Sequence, residues 1–272
     1  MQYLTKRLGT SPLGKLILTL SLPSMASMIT FALYNIIDTF WVAKLGYEAI
    51  AALTIVLPFH ILIIAIGAGS GIGINSLTSR LFGENNTRAA NQVAGQIFSI
   101  TIFFGGVFLI AGALFPQPIL SLLGGTPDII DYATQYLVII SFGAPCLFFT
   151  LVANNLLRGS GDAVRPMVFM LVATTLNIIL DPLMIFGIGP FPDMGVRGAA
   201  LATTISQTIG AGLSLTYLIT KQSAYRFGLS FLKPDLSILR DIYAVGLPSM
   251  LIEITESLTF ALFNNVLSAF GS

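Results

Sequence analysis

The stretch "TTLNIILDPLMIFG", residues 174 to 187, places one amide and one carboxylate in an otherwise apolar run. Such a run predicts a membrane-spanning helix, since crossing the hydrocarbon core takes about 20 mostly apolar residues. Thr174, Asn177 and Asp181 recur at spacings of three and four, so they share one face of that helix. Because a carboxylate inside a bilayer is costly, Asp181 is a candidate functional residue by default.

The rest of the chain has the composition of a membrane protein with several spans. Of its 272 residues, 55% are hydrophobic and only 9% are charged, whereas about a quarter of a soluble domain is charged. The net charge of +1 offers no basic surface for nucleic acid, and the single cysteine cannot form an intrachain disulfide. The lipid bilayer is therefore the expected surrounding of most of this chain.

Apolar runs predict seven spanning helices with short connections. They cover residues 14–42, 50–74, 91–114, 133–156, 166–187, 196–219 and 239–270. Of the 13 Lys and Arg residues, only Lys44 and Arg197 fall on the side of the membrane opposite the N-terminus. By the positive-inside rule, the N-terminus is expected to be cytoplasmic.

The last predicted helix repeats the first. Residues 22–46, "LPSMASMITFALYNIIDTFWVAKLG", align without gaps with residues 247–271, "LPSMLIEITESLTFALFNNVLSAFG". Six helices separate the two copies, which indicates the parallel repeat of a two-lobed transporter. The expected domains are a six-helix lobe at 1–220, an inter-lobe linker at 221–238, and at 239–272 the first helix of a truncated second lobe.

Polar residues on the first predicted helix also form a stripe. Ser27, Thr30, Tyr34 and Asp38 follow at spacings of three and four. The alternative interpretation is that such groups only hydrogen-bond neighbouring helices, worth roughly 1 kcal/mol or less apiece. Two carboxylates, on the first and fifth helices, favour a cation or proton site instead, because carboxylate, amide and hydroxyl oxygens are hard ligands.

Proline and glycine add two structural expectations. Pro23 has no N–H, so the first helix can bend there, although a static kink is the alternative. In "GAGSGIG", residues 67–73, glycines four apart are suited to close helix packing. His60 has no second metal ligand at helical spacing, and we assign it no role.

Four segments in this order resemble the multidrug and toxic compound extrusion (MATE) family. They are "SRLFGENNTRAAN" (79–91), "LLRGSGDAVRPM" (156–167), "GVRGAALAT" (195–203) and the 22–46 stretch. The resemblance implies an all-α, twelve-helix, two-lobed antiporter rather than an enzyme, monomeric and without a cofactor. Such a protein expels organic, often cationic compounds in exchange for Na⁺ or protons, across the plasma membrane of a bacterium or archaeon.

The resemblance also assigns roles to individual residues. It implies that a cation such as Na⁺ binds at Asp38, Asn177, Asp181 and Thr203. It implies further that Tyr34, Tyr136 and Asn154 line a substrate cavity in the first lobe. Glu256, which corresponds to a glutamate found in one branch of the family, is also assigned to the substrate cavity.

Two other functions compete with drug efflux. A lipid-linked precursor flippase of the same superfamily shares the two lobes, but it should line its cavity with arginines to hold an anionic headgroup. An intramembrane aspartyl protease also uses two membrane aspartates, but Asp38 follows Ile37 and Asp181 follows Leu180, so neither signature of that class is present.

Overall fold

The computed structural model describes residues 12–220, 223–228, 231 and 233–268. The outer limits of the predicted domains, residues 1 and 272, lie outside these residues, as do linker positions 221, 222, 229, 230 and 232. No strand occurs in the described part of the chain, which confirms the all-α fold.

Seven long helices and one short helix build the described structure. Short connections make consecutive long helices run in opposite directions. They are α1 (Leu13–Ala43), α2 (Tyr47–Gly83), α3 (Thr87–Ile100), α4 (Gly106–Leu114), the short α5 (Pro116–Leu122), α6 (Ile130–Gly159), α7 (Val164–Ile185), α8 (Val196–Ile219) and α9 (Leu236–Ser268). A π-helical turn at Thr101–Gly105 joins α3 to α4, so these two form a single long helix.

Six of the helices in the described residues are long and apolar enough to cross a membrane: α1, α2, the α3–α4 helix, α6, α7 and α9. The seventh predicted span corresponds to α8, whose 24 residues reach about 36 Å at 1.5 Å per residue. Its average hydropathy is lower because Thr203 and Ser206 lie among small buried residues on its inner face. The predicted helix is therefore present, with a face directed at protein instead of lipid.

Helix α6 is the centre of the bundle. It packs against α2 on one side and against α8 on the other, and α8 in turn packs against α7. Leu137, Phe148, Val152 and Leu156 of α6 are inaccessible to solvent. Helix α1 contacts chiefly α7, so the polar faces predicted on these two helices are turned toward each other.

The glycine-rich segment of α2 packs on two neighbours at once. A Cβ on Gly67 would lie 2.8 Å from Leu151 Cδ1, and one on Gly71 would lie 2.5 Å from Asn155 Nδ2, both on α6. A Cβ on Gly73 would meet a backbone carbonyl of α9. The predicted role of these glycines in close helix packing is confirmed, because no larger side chain fits either face.

Side chains of α9 bond to the α2 backbone around Pro58. Since Pro58 has no N–H, the carbonyl of Thr54 lacks its helical donor. Asn264 Nδ2 donates to that carbonyl at 3.1 Å, and Ser257 Oγ donates to the Pro58 carbonyl at 2.7 Å. Helix α9 therefore satisfies a backbone group that the α2 sequence leaves open.

The connection from α8 to α9 is held against the bundle. Tyr225 is almost fully buried, and its hydroxyl donates to the Leu156 carbonyl at 2.6 Å. The buried Gln96 amide donates to the Lys233 carbonyl at 3.0 Å and accepts from the Asp235 N–H at 3.0 Å. The predicted linker thus has defined contacts with α3 and α6, and α9 begins at Leu236, slightly before the predicted residue 239.

Candidate cation site and cavities

Helices α1, α7 and α8 bring four predicted site residues together. Asp38, Asn177, Asp181 and Thr203 are 7%, 2%, 0% and 1% exposed. Asn177 Nδ2 donates to Asp181 Oδ1 at 3.1 Å and to Thr203 Oγ1 at 3.3 Å. The Tyr34 hydroxyl lies 3.4 Å from the same Thr203 oxygen. We call Asp38, Asn177, Asp181 and Thr203 the polar cluster.

The carboxyl groups of Asp38 on α1 and Asp181 on α7 interact electrostatically across the contact between these two helices. Three oxygens of the cluster are buried without a hydrogen-bond partner among the described residues: Asp38 Oδ1, Asn177 Oδ1 and Asp181 Oδ2. Two buried carboxylates repel each other unless a proton or a cation lies between them. The arrangement therefore has the chemistry to hold one or the other.

No larger metal-binding group accompanies this pair. Among the described residues, no group of three or more His, Cys, Asp or Glu side chains converges. A site at the polar cluster would use an amide and a hydroxyl beside two carboxylates, which is a donor set of hard oxygens that suits Na⁺.

A first cavity of about 130 Å³ lies between α1 and α2, next to Asp38. We call the end of the bundle where α1 begins the N-terminal face, and the opposite end the far face. This cavity lies toward the far face, and we call it the far cavity. Tyr34, Asp38, Thr39, His60 and Tyr136 are among its lining residues.

A second cavity of about 130 Å³ lies nearer the N-terminal face, and we call it the near cavity. Helices α1, α6, α7 and α8 line it, and its described lining contains no Asp, Glu, Lys or Arg. Aromatic, amide and hydroxyl side chains line it together with aliphatic residues. They include Phe31, Tyr34, Asn154, Phe169, Thr174, Asn177, Thr203, Ser206 and Gln207.

The structure separates the remaining predicted site residues. Tyr136 lines the far cavity, whereas Asn154 lines the near cavity. Glu256 is exposed on α9 and lines a different pocket with Thr259 and Phe260, so it joins neither cavity. Pro23 lies inside a continuous α1, and its carbonyl accepts from Ser27 Oγ at 2.9 Å.

Several lining residues were missed by sequence reasoning. Phe31 and Phe169 line the near cavity, but an aromatic residue in an apolar helix carries no signal that separates a cavity wall from lipid contact. His60, to which we assigned no role, lines the far cavity with Asp38. Its spacing within α2 could not reveal this, because its neighbour is on another helix.

Comparisons with known proteins agree with this architecture. The MatE family model matches residues 23–183. The chain is 35% identical over 212 residues to a protein named FAD transporter from Shewanella oneidensis, covering 78% of this chain and 47% of that protein. It is 29% identical over 257 residues to the multidrug export protein MepA of Staphylococcus saprophyticus, covering 93% of this chain and 55% of that protein.

Solved structures are similar over nearly the same span. An outward-facing MATE transporter superposes with a TM-score of 0.82 at 34% identity, covering 90% of this chain and 53% of that chain. The MATE multidrug transporter DinF-BH superposes with a TM-score of 0.90 at 36% identity, covering 97% and 59%. The chain thus spans about half the length of the relatives it matches. With its buried carboxylate pair and membrane-length helices in that arrangement, the chain belongs to the MatE family of transporters.

Proposed function

We propose that the intact transporter containing this chain exports small organic, often cationic compounds from the cytoplasm in exchange for Na⁺ or protons. Similarity to a multidrug export protein and to multidrug MATE structures supports efflux as the activity. The excess of Lys and Arg on the N-terminal face supports a cytoplasmic N-terminus in a bacterial plasma membrane.

One observation carries the assignment of the coupling ion to the polar cluster. Three buried oxygens of the polar cluster, on α1 and α7, have no donor among the described residues. An unpaired buried acceptor costs about 1–3 kcal/mol, so three of them in one cluster favour an occupant. A proton satisfies one carboxylate by making it a donor, and Na⁺ satisfies several oxygens at once.

Three residues of the polar cluster have distinct parts in this proposal. Asp38 and Asp181 carry the negative charge that holds the ion, and Asn177 fixes the Asp181 carboxylate by its 3.1 Å hydrogen bond. Na⁺ and a proton carry the same charge, but Na⁺ binds several oxygens at once whereas a proton sits on one carboxylate, so exchanging them changes how closely α1 and α7 pack. Pro23, about four turns from Asp38, marks where α1 can bend to follow that change.

The test is ion-driven efflux by Asp181→Asn in the intact protein, reconstituted in liposomes with separately imposed Na⁺ and pH gradients. The substitution keeps the size of the side chain and removes its charge, so we expect efflux driven by the coupling ion to be lost while the protein still accumulates and folds. Asp128→Asn is the control, because Asp128 is an exposed carboxylate in the loop before α6. Wild-type efflux by Asp181→Asn under both gradients would place the coupling site elsewhere.

A flavin is a second candidate substrate. The relative from Shewanella oneidensis is named an FAD transporter, and the lining of the near cavity includes aromatic and amide side chains, which suit a planar ring with a hydrogen-bonding edge. This argument covers the flavin ring only, because the described lining has no Lys or Arg for the FAD diphosphate, which would have to be held outside this cavity. A competition assay distinguishes the two candidate substrates. We expect one cationic dye to block the export of a second cationic dye. If FAD is also a substrate, FAD should block export of that dye as well.

An anionic lipid-linked headgroup fits this lobe less well. The described linings of the near and far cavities contain no Lys or Arg, so neither offers a cation to a phosphate. A cavity for such a headgroup would need charge-assisted hydrogen bonds from basic side chains.

A further inference from the structure

The near and far cavities meet at a single side chain. Tyr34 lines both of them, and among the described residues it alone does so. Its hydroxyl is 3.4 Å from Thr203 Oγ1, and its ring centroid is 6.0 Å from that of Phe31. The tyrosine ring thus spans from α1 to α8 where the two cavities approach each other.

The two cavities lie at different depths along the same helices. On α1, the far cavity takes residues from Tyr34 to Val42, and the near cavity takes Phe31 and Tyr34. The far cavity also uses the beginning of α2, close to the far face. The near cavity uses Asn154 of α6 and Phe169 of α7, which lie toward the opposite end of the bundle.

The polar cluster is divided between these cavities. Asp38 lines only the far cavity, whereas Asn177 and Thr203 line only the near cavity. Asp181, with no exposed surface, lies between them and lines neither. The polar cluster therefore borders both cavities: Asp38 forms part of the wall of the far cavity, and Asn177 and Thr203 form part of the wall of the near cavity.

We propose that Tyr34 is the partition between two aqueous routes to the polar cluster. Water and the coupling ion reach Asp38 through the far cavity, and they reach Asn177 and Thr203 through the near cavity. The Tyr34 ring keeps the two routes from joining. The nature of the ion rests on the proposed function, but the partition follows from the cavity walls alone.

The size of the side chain supports this role. A water molecule needs space of only about one probe sphere, roughly 10–15 Å³, and a phenol ring fills several times that volume. Removing the ring joins the cavities into one continuous space. Removing only the hydroxyl leaves the ring in place and the space closed, so the partition is steric.

Side-specific thiol labelling of the intact transporter tests the proposal. The background carries Cys146→Ala and replacements of any other native cysteine; Cys146 lines neither cavity. Ser206→Cys reports on the near cavity, since Ser206 Oγ has no hydrogen-bond partner to lose, and Thr39→Cys reports on the far cavity. A charged, membrane-impermeant methanethiosulfonate is applied from the side of the far face, without substrate or an ion gradient.

We expect Thr39→Cys to react quickly and Ser206→Cys slowly while Tyr34 is present. Tyr34→Ala should raise the labelling rate at Ser206→Cys by about tenfold, because the space left by the phenol ring, several times the volume of a water molecule, lets the reagent pass between the cavities. The rate at Thr39→Cys should stay unchanged. Tyr34→Phe should leave both rates unchanged. If Tyr34→Ala does not accumulate in the membrane, Tyr34→Leu provides a smaller opening with an apolar side chain, and a smaller rise is expected.

Two results would overturn the partition: equally fast labelling of Ser206→Cys with Tyr34 in place, or a rate that stays the same when the ring is removed. Labelling requires no ion-driven transport. A protein that transports without Na⁺ or protons would therefore refute the proposed function and still show the partition, so the two failures are distinguishable.

Discussion

Replacing Asn264 should weaken the contact between α9 and α2, and the cost should depend on Pro58. Asn264 is 4% exposed and donates to the Thr54 carbonyl at 3.1 Å. That carbonyl has no helical donor, because the residue four positions later is proline. Asn264→Leu keeps a similar volume but removes the donor and leaves the carbonyl unsatisfied.

The expected loss is about 1–2 kcal/mol. A net hydrogen bond contributes about 0.5–1.5 kcal/mol, and a buried group left unpaired costs about 1–3 kcal/mol. The Thr54 carbonyl bond is only partly buried, which places the loss in the lower part of that range. The matched control is Asn265→Leu: Asn265 is exposed and donates to the Leu122 carbonyl, where water can replace it, so we expect a change within about 0.5 kcal/mol.

Combining Asn264→Leu with Pro58→Ala gives a double-mutant cycle. Alanine at position 58 restores an N–H that can donate to the Thr54 carbonyl, so Asn264→Leu should cost about 1 kcal/mol less in that background. Thermal unfolding of the purified intact protein measures the difference, since 1 kcal/mol corresponds to about 2–4 °C in Tm for a cooperative unit of about 150–250 residues, the size of one six-helix lobe. An equal loss of Tm in both backgrounds would refute the reasoning that Pro58 creates the need for Asn264.

Three further predictions concern other contacts. Gly73→Leu should destabilise the protein by about 1–3 kcal/mol, because the new side chain would meet the α9 backbone. Gly14→Leu is the control and should be tolerated, because a Cβ at Gly14 meets nothing within 4 Å. Unchanged thermal stability of the Gly73 variant would contradict this prediction. Gln96→Met should speed amide exchange at the end of the linker, since two partly buried hydrogen bonds are lost. Unchanged exchange there would show that the linker is held by other contacts. Hydrogen bonds from the Ser237 side chain and N–H lower the pKa of Asp235, so its capping of α9 is present at neutral pH and is lost as pH falls through that lowered pKa. Amide exchange at the start of α9, corrected for its intrinsic pH dependence, should therefore show relatively less protection in acid, and Asp235→Ala should remove this change.

The positions of the long helices could be predicted because the bilayer restricts its spanning segments so strongly, although six of the seven predicted spans are apolar enough to cross a membrane among the described residues. A span needs a long apolar run, and an ionisable residue inside it cannot face lipid without a large cost. Asp38 and Asp181 therefore had to face protein, and the spacing of their polar neighbours defined which face of each helix turned inward. The packing role of the glycines in 67–73 followed from the same reasoning, since a residue without a side chain suits a close backbone approach.

The partners of these faces are a matter of tertiary structure. Periodicity shows that a helix has an inner face, but not which helix lies against it: α1 packs on α7 and only weakly on its neighbour in sequence, α2. For this reason the sequence could not show that His60 shares a cavity with Asp38, or that Tyr34 stands between two cavities. It could show that Pro58 leaves the Thr54 carbonyl without a donor, but not that Asn264, 210 positions away in the chain, supplies one, because that pairing depends on how all the intervening helices pack.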